Sequence, residues 1–124
     1  MEAGPLRLDL FHRDAQLDEG WLALHPREFE LLWRLAETPE RTVSQRALLQ
    51  DVWRLPFEPG TNRVAVHIAR LRRKLAVHGL DAMIATDGPG YRLIPHLAPF
   101  LPGVPGVSAG FLKALGGLKR SGGL

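Results

Sequence analysis

The sequence predicts an α+β fold: a short N-terminal antiparallel sheet, three helices and a C-terminal β-hairpin. Three observations carry that prediction. Leu6, Leu8 and Leu10 alternate with Arg7 and Asp9, the period-2 pattern of a half-buried strand. Between Pro26 and Val77, three successive segments repeat apolar residues at helical spacing. Two short runs then flank Asp87-Gly88-Pro89-Gly90, a turn sequence.

The first strand covers Leu6 to Leu10. Asp14 offers a turn, Ala15 to Leu17 a second short strand, and Asp18-Glu19-Gly20 a second turn. Trp21-Leu22-Ala23-Leu24 completes a small meander. Pro26 suits a first helical position and Glu28 the dipole-favoured first turn. The stripe Phe29, Leu32, Trp33, Ala36 defines the first helix, which stops before Pro39. His25 stands at its N-cap, where it is a weaker cap than Ser or Thr.

Ser44 caps a second helix with the stripe Leu48, Leu49, Val52, Trp53, and the Pro/Gly-punctuated segment from Leu55 to Gly60 is a loop. The third helix starts at Thr61 or Asn62 and runs to about Val77, with Val64, Ile68, Leu71 and Leu75 as its buried stripe. Met83 to Thr86 and Tyr91 to Leu93 pair as the hairpin. Residues 1–5 read as an extension, 6–94 as one domain, and 95–124 as a disordered Pro/Gly-rich tail. Trp21 and Trp33 fall on apolar patterns and are expected in the core, whereas Trp53 divides evenly between packing and reaching a phosphate through its indole N–H.

With 124 residues, 45% hydrophobic and 23% charged, the chain suits one globular domain. It has no cysteine, which removes disulfides, thiolate metal sites and a catalytic thiol. Residues 1–58 hold seven Arg against eleven Asp and Glu; residues 59–124 hold nine Lys and Arg against two Asp. A basic half on an acidic body is the footprint of docking on a polyanion, nucleic acid or membrane surface alike. Met1-Glu2-Ala3-Gly4-Pro5 lacks a signal-peptide pattern. The uncharged run Leu93 to Leu112 is broken by four Pro and three Gly, so no membrane span or membrane partner is expected, and the expected location is the cytoplasm. Nucleophile-elbow, Walker and dinucleotide-binding patterns are absent, and the five histidines show no ligand pairing. No enzymatic activity, cofactor or metal is expected.

The third helix carries the functional argument. From Asn62 to His78 it holds Arg63, Arg70, Arg72, Arg73 and Lys74 and no acidic residue. At 100° per residue, Arg63, Val66, Arg70 and Arg73 face away from the apolar stripe. Such a helix can pack on a core while its basic face enters a major groove about 12 Å wide. A helix pair, a basic third helix and a hairpin together describe a winged helix-turn-helix.

Several segments resemble the DNA-binding domain of OmpR/PhoB-type response regulators. Leu24-x-Pro26-x-Glu28-Phe29-x-Leu31-Leu32 is similar to its first helix, and Val43-Ser44-x-x-x-Leu48-Leu49-x-x-Val52-Trp53 to its second. Asn62-x-Val64-x-Val66-His67-Ile68-x-Arg70-Leu71-Arg72-Arg73-Lys74-Leu75 resembles its recognition helix, and Gly88-x-Gly90-Tyr91-Arg92-Leu93 its wing. The resemblance covers the DNA-binding portion without the receiver domain that typical members carry. It implies sequence-specific binding of double-stranded DNA in transcriptional control, as two protomers on tandem half-sites.

By position, the resemblance assigns Val66 and Arg70 to bases, with Arg63 at a further groove contact; Arg73, on the same outward face, is expected at bases with them, and Trp53, Asn62, His67 and Arg72 are expected at the DNA backbone. It assigns Asp87, Gly88, Gly90 and Arg92 to the wing, Leu55, Phe57 and Glu58 to a loop that meets RNA polymerase, and Tyr91 to the core. Asp87 stands where the family usually has an Arg, and Ala69 and Ala65 replace a common Arg and a frequent Asp. These departures imply weaker or differently tuned DNA binding. The second reading is a winged-helix protein-interaction module, for RNA polymerase or a partner regulator, that binds DNA weakly.

Overall fold

The computed structural model describes residues 1–56 and 61–96. Four short strands, β1 (Glu2–Ala3), β2 (Leu6–Asp9), β3 (Asp14–Leu17) and β4 (Gly20–Trp21), form an antiparallel sheet in chain order. Helices α1 (Pro26–Glu37), α2 (Gln45–Trp53) and α3 (Arg63–Ala76) follow. The two-residue strand β5 (Val43–Ser44) precedes α2, and a 3-10 turn (Asp81–Met83) leads into the hairpin β6 (Ile84–Asp87) and β7 (Gly90–Leu93). The second sheet has the order β5-β7-β6.

The core lies between the helices and the two sheets. The expected stripes of α2 and α3 are buried at Leu48, Leu49, Val52, Val64, Ile68, Leu71 and Leu75. On α1 the buried face is Phe29, Leu31, Leu32, Leu35 and Ala36, because both the N-terminal sheet and the other helices cover it. Trp33, expected in the core, is only half-buried and donates its indole N–H to Glu37. Trp21 is 41% exposed, lying on the last strand of the sheet with its ring against His12.

The N-terminal sheet differs from the sequence reading in four places. The opening strand ends at Asp9 and leaves Leu10, expected on its buried face, 57% exposed in the turn. Residues 1–5 were expected to precede the first strand, yet Glu2–Ala3 pairs with Leu6 and Arg7 across a turn at Gly4 (φ +60°). The first turn is built by Asp9 rather than Asp14. Its carboxylate accepts from the Phe11 and His12 N–H groups, and the His12 N–H above all holds the Asp9 carboxyl below the usual range. Asp14 instead accepts from the Ala23 and Leu24 N–H groups. With Ala23 at φ +62°, that carboxylate replaces the ladder expected for Trp21 to Leu24, and the strand stops at Trp21.

His25 also performs better than its residue type suggests. Its Nδ1 accepts from the Arg27 N–H while Glu28 Oε1 accepts from the His25 N–H, a complete capping box. Ser44 caps α2 as expected, its hydroxyl accepting from the Ala47 N–H.

Candidate nucleic-acid interface

Helix α3 is wedged between two neighbours, and its flanks are fixed by different residues. On one flank Lys74 Nζ donates to the Ala23 carbonyl and, at 2.7 Å, to Glu28 Oε1. Glu28 is 3% exposed. Burial pushes its carboxyl up, but hydrogen bonds from Lys74 and the His25 N–H outweigh this and leave it below the usual range. The same flank brings His67 beside Trp53 and His25, with ring centroids 5.0 and 6.1 Å away. On the opposite flank Arg72 donates to the Ile84 carbonyl and the Thr86 hydroxyl, and its guanidinium lies 5.5 Å from the centre of the Tyr91 ring.

Between these flanks the outward face of α3 presents Arg63, Val66, Ala69, Arg70 and Arg73. The three arginines are exposed and Val66 is half-buried. None of the three is held in an ion pair among the described residues. Asn62 occupies the N-cap without a side-chain bond, and Thr61 Oγ1 accepts from the Arg63 N–H instead. The structure therefore brings together all four residues expected to face bases.

The residues expected on the DNA backbone divide. His67 is half-buried, its Nδ1 2.9 Å from the Arg63 carbonyl. Trp53 is half-buried against the core, with the Arg27 guanidinium 5.8 Å from its ring centre. Arg72 was expected at a phosphate, but at least two of its donors are engaged with the wing. Its angle on α3 explains this: next to Leu71 it lies at the border of the buried stripe, on the side where the hairpin packs, rather than outward. Lys74, counted with the basic face, is likewise drawn to the buried carboxylate of Glu28.

The wing is tied to the body along its length. Val43 pairs with Tyr91 and Ser44 with Gly90, and the Gln45 N–H donates to the Pro89 carbonyl. Asp87, which stands where the resembling family usually has an Arg, accepts from the Thr42 hydroxyl and lies 3.5 Å from Arg92 Nε. Its charge is thus partly matched within the fold. Gly88 takes φ +56° in open space, and Tyr91 is buried as expected. Leu55 packs on the core; Phe57 and Glu58, with the Pro/Gly-rich tail, lie outside the described residues.

Sequence reasoning missed the Glu28–Lys74 pair and the His25–His67 contact. The pattern His25-x-x-Glu28 at a helix start was the available signal for the first, being a capping box with an unusual cap.

Fold and exposed basic helix together define a winged helix-turn-helix of the kind that engages duplex DNA. Residues 18–93 match the family described as "Transcriptional regulatory protein, C terminal", and the chain belongs to that family. It is similar to the DNA-binding domain of RstA from Klebsiella pneumoniae, solved in complex with the RstA box, at 30% identity and TM-score 0.69 over 77% of this chain and 97% of that one. Similarity to the DNA-binding domain of CpxR from E. coli is also 30%, with TM-score 0.70 over 78% and 97%. Among curated proteins, the response regulator MprA of Mycobacterium leprae is 33% identical over 75% of this chain and 41% of its own length. The chain spans less than half the length of the curated relatives it matches. Among the described residues no helix is long and apolar enough to cross a membrane.

Proposed function

We propose that this domain binds double-stranded DNA sequence-specifically in transcriptional control, with α3 in the major groove. The observation that carries the reading is the outward face of α3, where Arg63, Arg70 and Arg73 stand exposed around Val66, none of them in an ion pair among the described residues. In this reading Arg70 makes a bidentate contact to guanine and Val66 meets a thymine methyl. Asn62, His67 and Trp53 position the backbone, and two protomers occupy tandem half-sites in the cytoplasm. Leu55, Phe57 and Glu58 serve RNA polymerase. Response-regulator relatives and the DNA complex of a similar domain support the reading. Selection from random duplexes followed by sequencing tests it; recovery of no enriched sequence would overturn it.

Arg70→Ala is expected to cost about 1–3 kcal/mol on the selected site and to flatten preference at one base pair. Equal losses on selected and random duplex would reduce Arg70 to a phosphate contact.

Arg72 is a positioning residue in this scheme. Arg72→Ala is expected to weaken binding while leaving the dependence of affinity on salt unchanged, because no phosphate contact is lost. Hydrogen exchange at Ile84 to Thr86 should accelerate in the same variant. A salt slope reduced by about one would return Arg72 to the phosphate backbone.

A further inference from the structure

Two histidines meet on the α1-facing flank of α3, and their hydrogen bonds fix opposite tautomers. His25 Nδ1 accepts from the Arg27 N–H at 3.2 Å. An amide N–H only donates, so Nδ1 is bare and the proton of the neutral ring sits on Nε2. His67 Nδ1 faces the Arg63 carbonyl at 2.9 Å. A carbonyl only accepts, so here Nδ1 carries the proton and Nε2 is bare. The rings lie 6.1 Å apart at the edge of the DNA-facing surface, His25 exposed and His67 half-buried.

The oxygens of a DNA phosphodiester can only accept. Such a group can take a hydrogen bond from neutral His25 through Nε2, but from His67 only after that ring gains a second proton. We propose that His25 and His67 form a paired phosphate-binding site, in which His25 donates without changing its protonation and His67 takes up one proton as DNA binds. The proposal rests on the DNA-binding reading above. It adds a contact from α1 and makes affinity depend on pH through one named atom, His67 Nε2.

On α3, Arg63 precedes His67 by one turn and Arg70 follows it, while Lys74 is bound to Glu28. At the start of α1, Arg27 pairs with Glu30, and Glu28 accepts from the His25 N–H. From α2 come the uncharged Trp53 ring and, next in the chain, the exposed Arg54. Among the described residues, the carboxylates of the first turns of α1, Glu28 and Glu30, are thus engaged with Lys74, Arg27 and Arg13. The anion that pairs with protonated His67 is then the incoming phosphate. Protonating His25 would remove the acceptor that caps α1, so that ring contributes in its neutral form.

The test is affinity for one fixed duplex at constant ionic strength, at about pH 6 and about pH 8, on either side of the ordinary imidazole range. The wild type should bind up to about tenfold tighter at the lower pH. His67→Gln, which has a pH-independent donor, should lose that difference. His25→Ser keeps a capping hydroxyl but no Nε2 donor, and should weaken binding equally at both pH values. An unchanged pH difference in His67→Gln, or unchanged affinity in His25→Ser, overturns the proposal while leaving the DNA-binding reading intact. Absence of wild-type binding at both pH values overturns both. Imidazole nitrogen shifts of the wild type, with and without duplex, address the same assignment without substitution: His67 should become doubly protonated on adding DNA and His25 should not. A His67 that stays neutral in the complex refutes the site.

Discussion

Glu28→Ala is expected to destabilise the domain by about 3 kcal/mol, a large fraction of the stability of a domain this size. The carboxylate closes the α1 capping box and pairs with Lys74 across to α3, so its removal loses a cap and leaves an ammonium without its partner. The effect depends on pH with a definite sign. Because the folded carboxyl titrates below the usual glutamate range, its contribution is fully present above about pH 4.3 and is lost as pH falls through the folded value. Urea unfolding midpoints of wild type and variant should therefore differ most near neutrality and converge in acid. A constant gap across that range would show that packing, not the charge, is what the substitution removes.

Gly90→Val is the second large effect. A Cβ at Gly90 would sit 2.1 Å from the Val43 carbonyl oxygen and 2.8 Å from Ser44 Cα, both backbone atoms that no rotamer change can move aside. Strand β5 must then part from β7, and the Gln45–Pro89 hydrogen bond at the start of α2 goes with it. A loss of about 2–3 kcal/mol is expected, with Gly90→Ala close behind because the clash begins at Cβ itself. Thermal unfolding measures it directly. A variant that melts with the wild type would mean the wing can leave the body without cost.

The helices were legible because each has enough residues for a 3.6-residue period to repeat and because Ser44, Pro26 and Pro39 mark ends. Strands β1 and β5, two residues each, offer no period at all; what fixes them is pairing with Leu6–Arg7 and with Gly90–Tyr91, the latter almost fifty residues away. The candidate site divides along the same line. Arg63, Val66 and Arg70 follow from their angle opposite the apolar stripe. Arg72 and Lys74 were grouped with them by charge, yet they lie at the borders of the stripe, where a partner from another element decides the outcome. Those partners, the Ile84 carbonyl and Glu28, are visible only once the chain is folded. Asp87 shows the same limit, since the residue can be read as a wing tip but its hydroxyl donor, Thr42, cannot.

The ties that hold the hairpin to β5, to α2 and to Arg72 also set a fixed span between α3 and the wing. A reading head of constant span acts as a gauge. Widening or narrowing it would break those hydrogen bonds, so in the proposed complex the duplex does more of the conforming. The elastic cost of that adjustment varies with base sequence, most favourable at flexible pyrimidine–purine steps and least so in stiff A-tracts. In the proposed complex, discrimination should consequently extend to base pairs that no side chain touches, flanking the segment read by α3 on the side of the hairpin. Because little of the head is left to be ordered on contact, its association should also carry a small conformational entropy cost.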